Sequence, residues 1–78
     1  ANIDAERAVL GALLLNDEWV SQVLEVLKAD DFYSQAHRII FEHIVTLSQQ
    51  FKRIDLVTLQ DELTKKGQLD TVGGLVYL

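Results

Sequence analysis

The sequence contains no cysteine, and only two of its 78 residues are histidine. The absence of cysteine excludes disulfides, and two histidines do not supply the four ligands of a usual structural zinc site. A chain of this length buries only ~60% of the surface that its unfolded form exposes. The fold must therefore depend on closely packed elements, and on neighbours, rather than on covalent or metal cross-links.

Long hydrophobic runs are also missing. The longest, AVLGALLL at residues 8–15, is far shorter than the ~20 residues that cross a bilayer. No small-residue cleavage site follows it, so it is not read as a signal peptide. The lack of cysteine fits a reducing compartment. The sequence therefore predicts a soluble, cytoplasmic protein that does not contact a membrane.

Basic residues are few. Seven Lys and Arg stand against twelve Asp and Glu, for a net charge of −5. Binding to nucleic acid draws much of its free energy from neutralised phosphates, which this balance opposes. A basic protein surface is the better electrostatic match.

The apolar spacing predicts one all-α domain over residues 1–78, a compact bundle of about five short helices, because apolar residues recur at intervals of three and four. Each of the first four helices follows a residue that favours an N-cap. The predicted caps are Asn2 for a helix reaching Asn16, Asp17 for 18–28, Ser34 for 35–51 and Asp55 for 56–66. Gly67 is predicted to end the fourth helix in a left-handed conformation. Residues 68–74 are predicted to form a turn, and residues 75–78 to start a fifth helix.

The same spacing predicts which faces are buried. On the first helix the apolar stripe is Ala5, Ala8, Val9, Ala12 and Leu13, and on the second it is Trp19, Val23, Val26 and Leu27. Phe51 closes the stripe of the third helix. The predicted core comprises Val9, Leu13, Trp19, Phe32, Ile40, Phe41, Ile44, Leu56, Leu59 and Leu63. Asp61 with Lys65, and Glu62 with Lys66, are predicted ion pairs on the outer face of the fourth helix.

No motif for catalysis is found. The sequence has neither a phosphate-binding G-x-x-x-x-G-K-[ST] loop nor a G-x-S-x-G stretch around a serine. His37 and His43 are six residues apart on one helix, so they point ~120° apart and cannot share a metal ion. We expect His37 to pack near the D-F-Y turn and His43 to face solvent. Asp30 and Asp31 are interpreted as acids that satisfy free backbone N–H groups before a helix.

Four stretches in order carry a resemblance to a known family: DAERAVLGALLL, ADDFYSQAHRIIF, IDLVTLQDEL and GQLDTVGGLVYL. Together they resemble the N-terminal domain of the bacterial replicative DNA helicase of the DnaB type, over essentially the whole chain. Each stretch is weak evidence alone. Their order and spacing identify the family.

The resemblance implies a role that the composition could not. In that family the helicase is a hexameric ring that unwinds DNA at the replication fork, and this domain forms a collar where primase docks. A separate RecA-like motor domain, absent from this sequence, holds ATP with Mg²⁺ and contacts the DNA. The resemblance thus implies a binding and assembly domain with no catalysis and no cofactor of its own. Its implied partners are primase, a helicase loader and other copies of the chain.

Two positions are predicted to bind partners by analogy with the family: Asp4 on the first helix and Tyr77 near the end of the sequence. The acid suits a basic primase surface, and tyrosine combines apolar area with a hydroxyl group. The structural alternatives are that Asp4 only favours its helix terminus and that Tyr77 belongs to the core. In the family the G-G-x-x-Y-L stretch begins a helix that continues, so the chain is interpreted as a fragment that ends within a helix.

The sequence departs from the family pattern at two places. The first helix usually reads Glu-Ala-Glu, and here Asp4-Ala5-Glu6 keeps the charges. The turn before Ile54 usually contains Gly and Pro, whereas this chain has Phe51, Lys52 and Arg53. The second departure predicts an exposed cationic loop at this turn.

Three other functions remain open at this stage. One is the related helicase-binding domain of primase. Another is a small helical DNA-binding regulator, which the acidic balance and the lack of a basic recognition helix oppose. The third is a stand-alone enzyme, for which no assembled site is visible in the sequence.

Overall fold

The computed structural model describes residues 2–74, and in this range all regular structure is helical. Its four α-helices, in chain order, are α1 (Ile3–Leu15), α2 (Val20–Val26), α3 (Gln35–Gln49) and α4 (Leu56–Lys65). Two short 3₁₀ turns, Asp17–Trp19 and Ala29–Asp31, flank α2. No helix in this range is long and apolar enough to span a membrane. The all-α class is confirmed, while the predicted fifth helix at residues 75–78 lies outside the described residues.

Side-chain caps begin the helices close to where the sequence predicts them. The Asn2 side chain accepts the Ala5 N–H at 3.0 Å, and Ser34 Oγ accepts the His37 N–H at 3.3 Å. Asp55 accepts the Thr58 N–H at 2.9 Å, and the Thr58 hydroxyl accepts the Asp55 N–H in return. These three caps are confirmed, because each depends only on neighbours in the sequence.

The second predicted helix needs correction. The Asn16 side chain, rather than that of Asp17, accepts the first free N–H, from Glu18. The chain then makes a 3₁₀ turn, and α2 begins only at Val20 and ends at Val26. A 3₁₀ turn holds three residues rather than 3.6, so it rotates the residues that follow relative to a continuous α-helix.

This rotation explains why the predicted apolar stripe of α2 is confirmed at Val23 and Leu27 but wrong at Trp19 and Val26. Val20 is buried and Val23 and Leu27 are half-buried, but Trp19 is 52% exposed and Val26 is exposed. Trp19 is therefore not part of the core. Leu56, also predicted to be core, is 45% exposed at the start of α4.

The core lies around α3, which contacts both α1 and α4. Its buried residues are Leu10, Leu13, Leu14, Val20, Phe32, Ile40, Phe41, Ile44, Leu47, Ile54, Leu59, Leu63 and Val72. Seven of the ten predicted core residues are among them, and Val9 packs against this set from a half-buried position.

The buried face of α1 differs from the predicted one. Leu10, Leu13 and Leu14 face the core, whereas Ala5, Ala8 and Ala12 are exposed. Because α1 is apolar on both faces, its periodicity does not determine which face packs inward. The longer leucines, which bury more apolar area, take the inner side.

Helix α3 ends at Gln49, two residues before its predicted end. Phe51 has φ = 57° and its side chain is 97% exposed, so it does not continue the apolar stripe. The Lys52 N–H donates to the Leu47 carbonyl at 3.0 Å, which closes a Schellman-type helix end. Helix α4 ends in the same way, with Gly67 at φ = 68° and Gln68 N–H donating to the Leu63 carbonyl at 2.9 Å. The left-handed stop predicted at Gly67 is confirmed.

The two predicted ion pairs on α4 have different outcomes. Asp61 and Lys65 approach to 3.1 Å on the exposed face, as predicted. Glu62 is buried, on the same face as Leu59 and Leu63, and makes no ion pair with Lys66 within residues 2–74. The predicted turn at residues 68–74 is confirmed by hydrogen bonds such as that from Gly74 N–H to the Leu69 carbonyl at 3.0 Å.

Replacing Phe41 with Ala should destabilise the domain by about 3–5 kcal/mol, because Phe41 is 1% exposed and its ring lies 4.9 Å from that of Phe32. Domains of this size have about 3–5 kcal/mol in total, so the variant should be largely unfolded. Thermal melting followed by circular dichroism measures this. Val57→Ala, at an exposed position on α4, is the control and should change the stability by about 0.5 kcal/mol or less. A Phe41→Ala variant that melts with the parent would contradict the packing of α3.

Replacing Phe51 with Gly should stabilise the domain by about 1 kcal/mol, because glycine adopts the left-handed conformation without the Cβ clash and the phenyl ring has no burial to lose. For a domain of 60–100 residues this corresponds to a rise in Tm of about 4–8 °C. Gly67→Ala is the matched control, since an added Cβ meets no atom within 4 Å and only the backbone conformation is strained. Its Tm should fall. If the two Tm changes had the same sign, the left-handed ends of α3 and α4 would not be equivalent.

Candidate interaction surface

The Glu6 carboxylate links α1 to the start of α3. Its Oε2 atom accepts the Tyr33 N–H at 2.5 Å, and its Oε1 atom accepts the Ser34 N–H at 3.3 Å. The same Oε1 lies 2.9 Å from His37 Nδ1. Glu6 thus supplies, from another helix, acceptors for N–H groups that would otherwise be free just before α3.

His37 and Arg38 hold the turn before α3 from the other side. His37 is fully buried, and its ring meets Phe32 edge-on with centroids 6.5 Å apart. Arg38 Nη1 donates to the carbonyls of Phe32 and Tyr33 at 3.1 and 3.2 Å. The prediction that His37 packs beside the D-F-Y turn is confirmed.

The environment of Glu6 shifts its pKa. Partial burial is the largest influence and acts to raise the pKa, but the hydrogen bonds from His37, Tyr33 and Ser34 outweigh it. The pKa of Glu6 is therefore held below its usual value of 4.5. The pKa of Asp55 is also lowered from 3.8, chiefly because its carboxylate accepts the Thr58 N–H, with a smaller effect from Arg53.

The prediction that His43 faces solvent is wrong. His43 is half-buried, and its Nε2 is hydrogen-bonded to Gln68 Oε1. This bond joins α3 to the turn that follows α4. The spacing along α3 gave no sign of it, because Gln68 lies 25 residues away in the sequence.

A small cavity of about 170 Å³ lies next to the Glu6 network. It is lined by Ala5, Glu6, Val9, Leu27, Asp31 and Phe32, and is called the Asp31 cavity below. Asp31 Oδ2 accepts the Lys28 N–H at 2.8 Å, which confirms the prediction that this acid satisfies a backbone donor. Asp30 beside it is exposed. The cavity is therefore mainly apolar and has carboxylates at its border.

A protruding loop lies at the far end of α3. Residues 51–53, called the 51–53 tip below, are all exposed, which confirms the predicted cationic loop. Arg53 Nε lies 3.3 Å from Asp55 Oδ2, so part of the positive charge is neutralised within the chain. The tip and the Asp31 cavity are surface features that the sequence did not identify as binding sites, although the departure at residues 51–53 pointed to the first.

Of the two residues predicted to bind partners, Asp4 lies among the described residues and Tyr77 does not. Asp4 is exposed in the first turn of α1 and lines a shallow depression of about 370 Å³ with Arg7, Ala8, Gly11 and Leu15. Asn2 caps α1, and Asp4 lies in the first turn, where a negative charge favours the helix terminus, so the structural alternative for Asp4 remains open. Tyr77 lies outside the described residues. Both assignments stay predictions.

The described residues also bear on chemistry other than binding. Within residues 2–74, no three His, Cys, Asp or Glu side chains are grouped as a metal site requires. Glu6 bonds to His37 and to backbone N–H groups, and the Asp31 and Asp55 carboxylates each accept a backbone N–H. His43 bonds to the Gln68 side chain. Two surface features could contact a partner. The Asp31 cavity, with apolar walls and carboxylates at its border, lies near the start of α3, and the aromatic and cationic 51–53 tip follows its end.

Comparison with known proteins places the chain in context. A family model described as the DnaB-like helicase N terminal domain matches residues 1–78. The replicative DNA helicase DnaB of Treponema pallidum (strain Nichols) is 47% identical over 77 residues, which cover 99% of this chain and 18% of that protein. The helicase DnaB of Buchnera aphidicola subsp. Schizaphis graminum is 43% identical over 77 residues, covering 99% of this chain and 17% of that protein.

A solved structure agrees with these relatives. The crystal structure of the N-terminal domain of DnaB helicase from Mycobacterium tuberculosis matches 97% of this chain with a TM-score of 0.93 and 37% identity. The match covers 55% of that chain. The present chain spans less than a fifth of the length of the two curated relatives above.

The lowered pKa values of Glu6 and Asp55 predict that stability falls in acid. A carboxylate with a lower pKa in the folded state stabilises the fold above its unfolded pKa, and this stabilisation is lost as the pH falls through the folded pKa. For Glu6 the loss should begin near pH 4.5 and be complete below its lowered pKa. The Tm measured between about pH 7 and pH 3 should therefore fall below about pH 4.5.

Two variants assign this effect to the network. Glu6→Gln should lower the Tm at neutral pH and approach the parent's Tm in acid, because the amide cannot ionise. Asp4→Asn removes a negative charge from the same helix without touching the network, and should lower the neutral Tm much less. If the Tm of Glu6→Gln differed from that of the parent by the same amount at every pH, the ionised carboxylate would not stabilise the fold.

Proposed function

The chain belongs to the family of DnaB-like helicase N-terminal domains, and on that premise we propose that it is a binding and assembly domain of a hexameric replicative DNA helicase. The parent protein would unwind DNA at the replication fork in the cytoplasm. The observation that carries this proposal is the family match over residues 1–78, together with the similar fold of the mycobacterial domain. Both concern helicases, which favours this function over the helicase-binding domain of primase.

The proposed roles of the domain are to dock primase and to support assembly of the ring, with a helicase loader as a further partner. The net charge of −5 supports docking to a basic protein surface. Leu15, Tyr33, Phe51 and Val57 are large apolar side chains that are at least 70% exposed. Single exposed apolar side chains are ordinary on protein surfaces, so the proposal is supported by the charge and the family rather than by this exposure.

We assign no catalytic step to this domain. ATP and Mg²⁺ would be held by the RecA-like motor of the parent helicase, which would also make the main contacts with DNA. Within this proposal, the 78 residues bind partner proteins, and the motor domain hydrolyses ATP and moves along DNA.

Calorimetric titration with the helicase-binding domain of a bacterial primase tests the docking role. The parent chain should bind saturably. Asp4→Ala and Tyr77→Ala should each raise the Kd, by about tenfold if each contact contributes about 1.4 kcal/mol. Glu25→Ala removes an exposed acid from α2 and is the matched control, which should bind as the parent does.

Circular dichroism of each variant separates lost binding from lost folding. Saturable binding that neither Asp4→Ala nor Tyr77→Ala weakens would support docking but refute these two residues as its contacts. A folded parent chain that shows no heat of binding would refute the claim that these 78 residues dock primase.

A further inference from the structure

We propose that the 51–53 tip of one copy inserts Phe51 into the Asp31 cavity of a second copy, so that copies of the domain associate head to tail. This inference rests on the self-association in the proposed function and deepens it by naming the contact. It follows from three properties of the described residues: the conformation of the tip, the volume and chemistry of the cavity, and the separation between them.

Phe51 occupies its position against both backbone and solvation preferences. It has a positive φ at the left-handed end of α3, while α4 has Gly67 at the equivalent place. Its ring is 97% exposed, so no contact within residues 2–74 compensates for the strain. The backbone at Phe51 is held by the hydrogen bonds that end α3, and the exposed ring is available to a second molecule.

The Asp31 cavity matches this ring in size and polarity. Its volume is about 170 Å³ and it is open to solvent on one side; enclosed apolar cavities of about 150 Å³ in proteins hold benzene, so the volume suffices for a phenyl ring. Ala5, Val9, Leu27 and Phe32 supply apolar and aromatic walls. An aromatic ring that enters it could stack against Phe32 in an offset or edge-on arrangement.

The charges around the two surfaces are complementary. Lys52, next to Phe51, makes no ion pair within residues 2–74, whereas Arg53 is already paired with Asp55. Asp31 borders the cavity, and the exposed Asp30 precedes it. Once Phe51 is inserted, Lys52 would approach these two carboxylates, which would fix the orientation of the contact.

The tip and the cavity cannot meet within one copy. Phe32 and Asp31 lie just before the start of α3, and Phe51 lies just after its end. The fifteen residues of α3 separate them by about 22 Å at 1.5 Å per residue. Contact between different surfaces of two copies is heterologous, and such contacts generate rings when the rotation closes.

Nucleic acid fits the tip less well than a second copy does. The tip offers one aromatic ring and one unpaired cation, on a chain with a net charge of −5. Binding to DNA usually neutralises several phosphates, for which these residues are too few.

The proposal is tested by mixing two variants, one that lacks the 51–53 tip's ring and one whose Asp31 cavity is blocked. Phe51→Gly removes the tip but leaves the cavity, in a backbone conformation that glycine favours. Ala5→Phe places a ring at the border of the cavity and leaves the tip intact. Neither variant alone should self-associate at about 1 mM, whereas the parent's rotational correlation time should rise with concentration up to this value.

The two variants should bind each other, because together they retain one intact contact. In NMR titrations, ¹⁵N-labelled Phe51→Gly with unlabelled Ala5→Phe should show shifts at Val9, Asp31 and Phe32. The reverse labelling should show shifts at Lys52 and Arg53. The pair should form 1:1 dimers and nothing larger, and adding Asp30→Lys to Phe51→Gly should weaken the pair by severalfold.

The remaining outcomes overturn the proposal in distinguishable ways. If Phe51→Gly associates as the parent does, self-association stands but the tip is not its contact. If the parent stays monomeric at about 1 mM, this contact is refuted, while assembly of the whole helicase and docking of primase are decided by separate measurements. If a single-stranded oligothymidylate, and not the protein, shifts the amides of the tip, the tip binds nucleic acid instead.

Discussion

The hydrogen bonds of one carboxylate, that of Glu6, fix the position of α1 at the start of α3, the helix around which the core packs. Its partners Tyr33, Ser34 and His37 lie 27–31 residues away in the sequence, so it joins α1 to the beginning of α3. The turn before α3 is hydrogen-bonded from two sides. Arg38 donates to the carbonyls of Phe32 and Tyr33, and Glu6 accepts the N–H groups of Tyr33 and Ser34. A buried histidine completes the network at the point where the two helices approach.

This arrangement also creates the surface that we assign to binding. The residues that hold the turn before α3 place Phe32 in the core and Asp31 at its edge, and the space beside Glu6 is the Asp31 cavity. The other end of α3 carries the 51–53 tip. A single straight helix therefore sets the distance between an acidic, apolar cavity and an aromatic, cationic tip, and the proposed head-to-tail contact depends on that separation.

Stability and binding have different requirements at the two helix ends that adopt the left-handed conformation. Gly67 satisfies the backbone of α4 and offers no side chain to a partner. Phe51 has the less favourable backbone but presents a full aromatic ring.

The sequence by itself determined the helical class, the caps at Asn2, Ser34 and Asp55, the stop at Gly67 and the family, since these depend on residues close together in the chain or on motifs in order. The tertiary structure decided which face of the doubly apolar α1 is buried and that the 3₁₀ turn leaves Trp19 exposed. It also decided that Glu6 accepts the N–H groups just before α3 and that the Asp31 cavity forms at all. These features arise from contacts between residues far apart in the sequence, and helical periodicity carries no information about which segments meet.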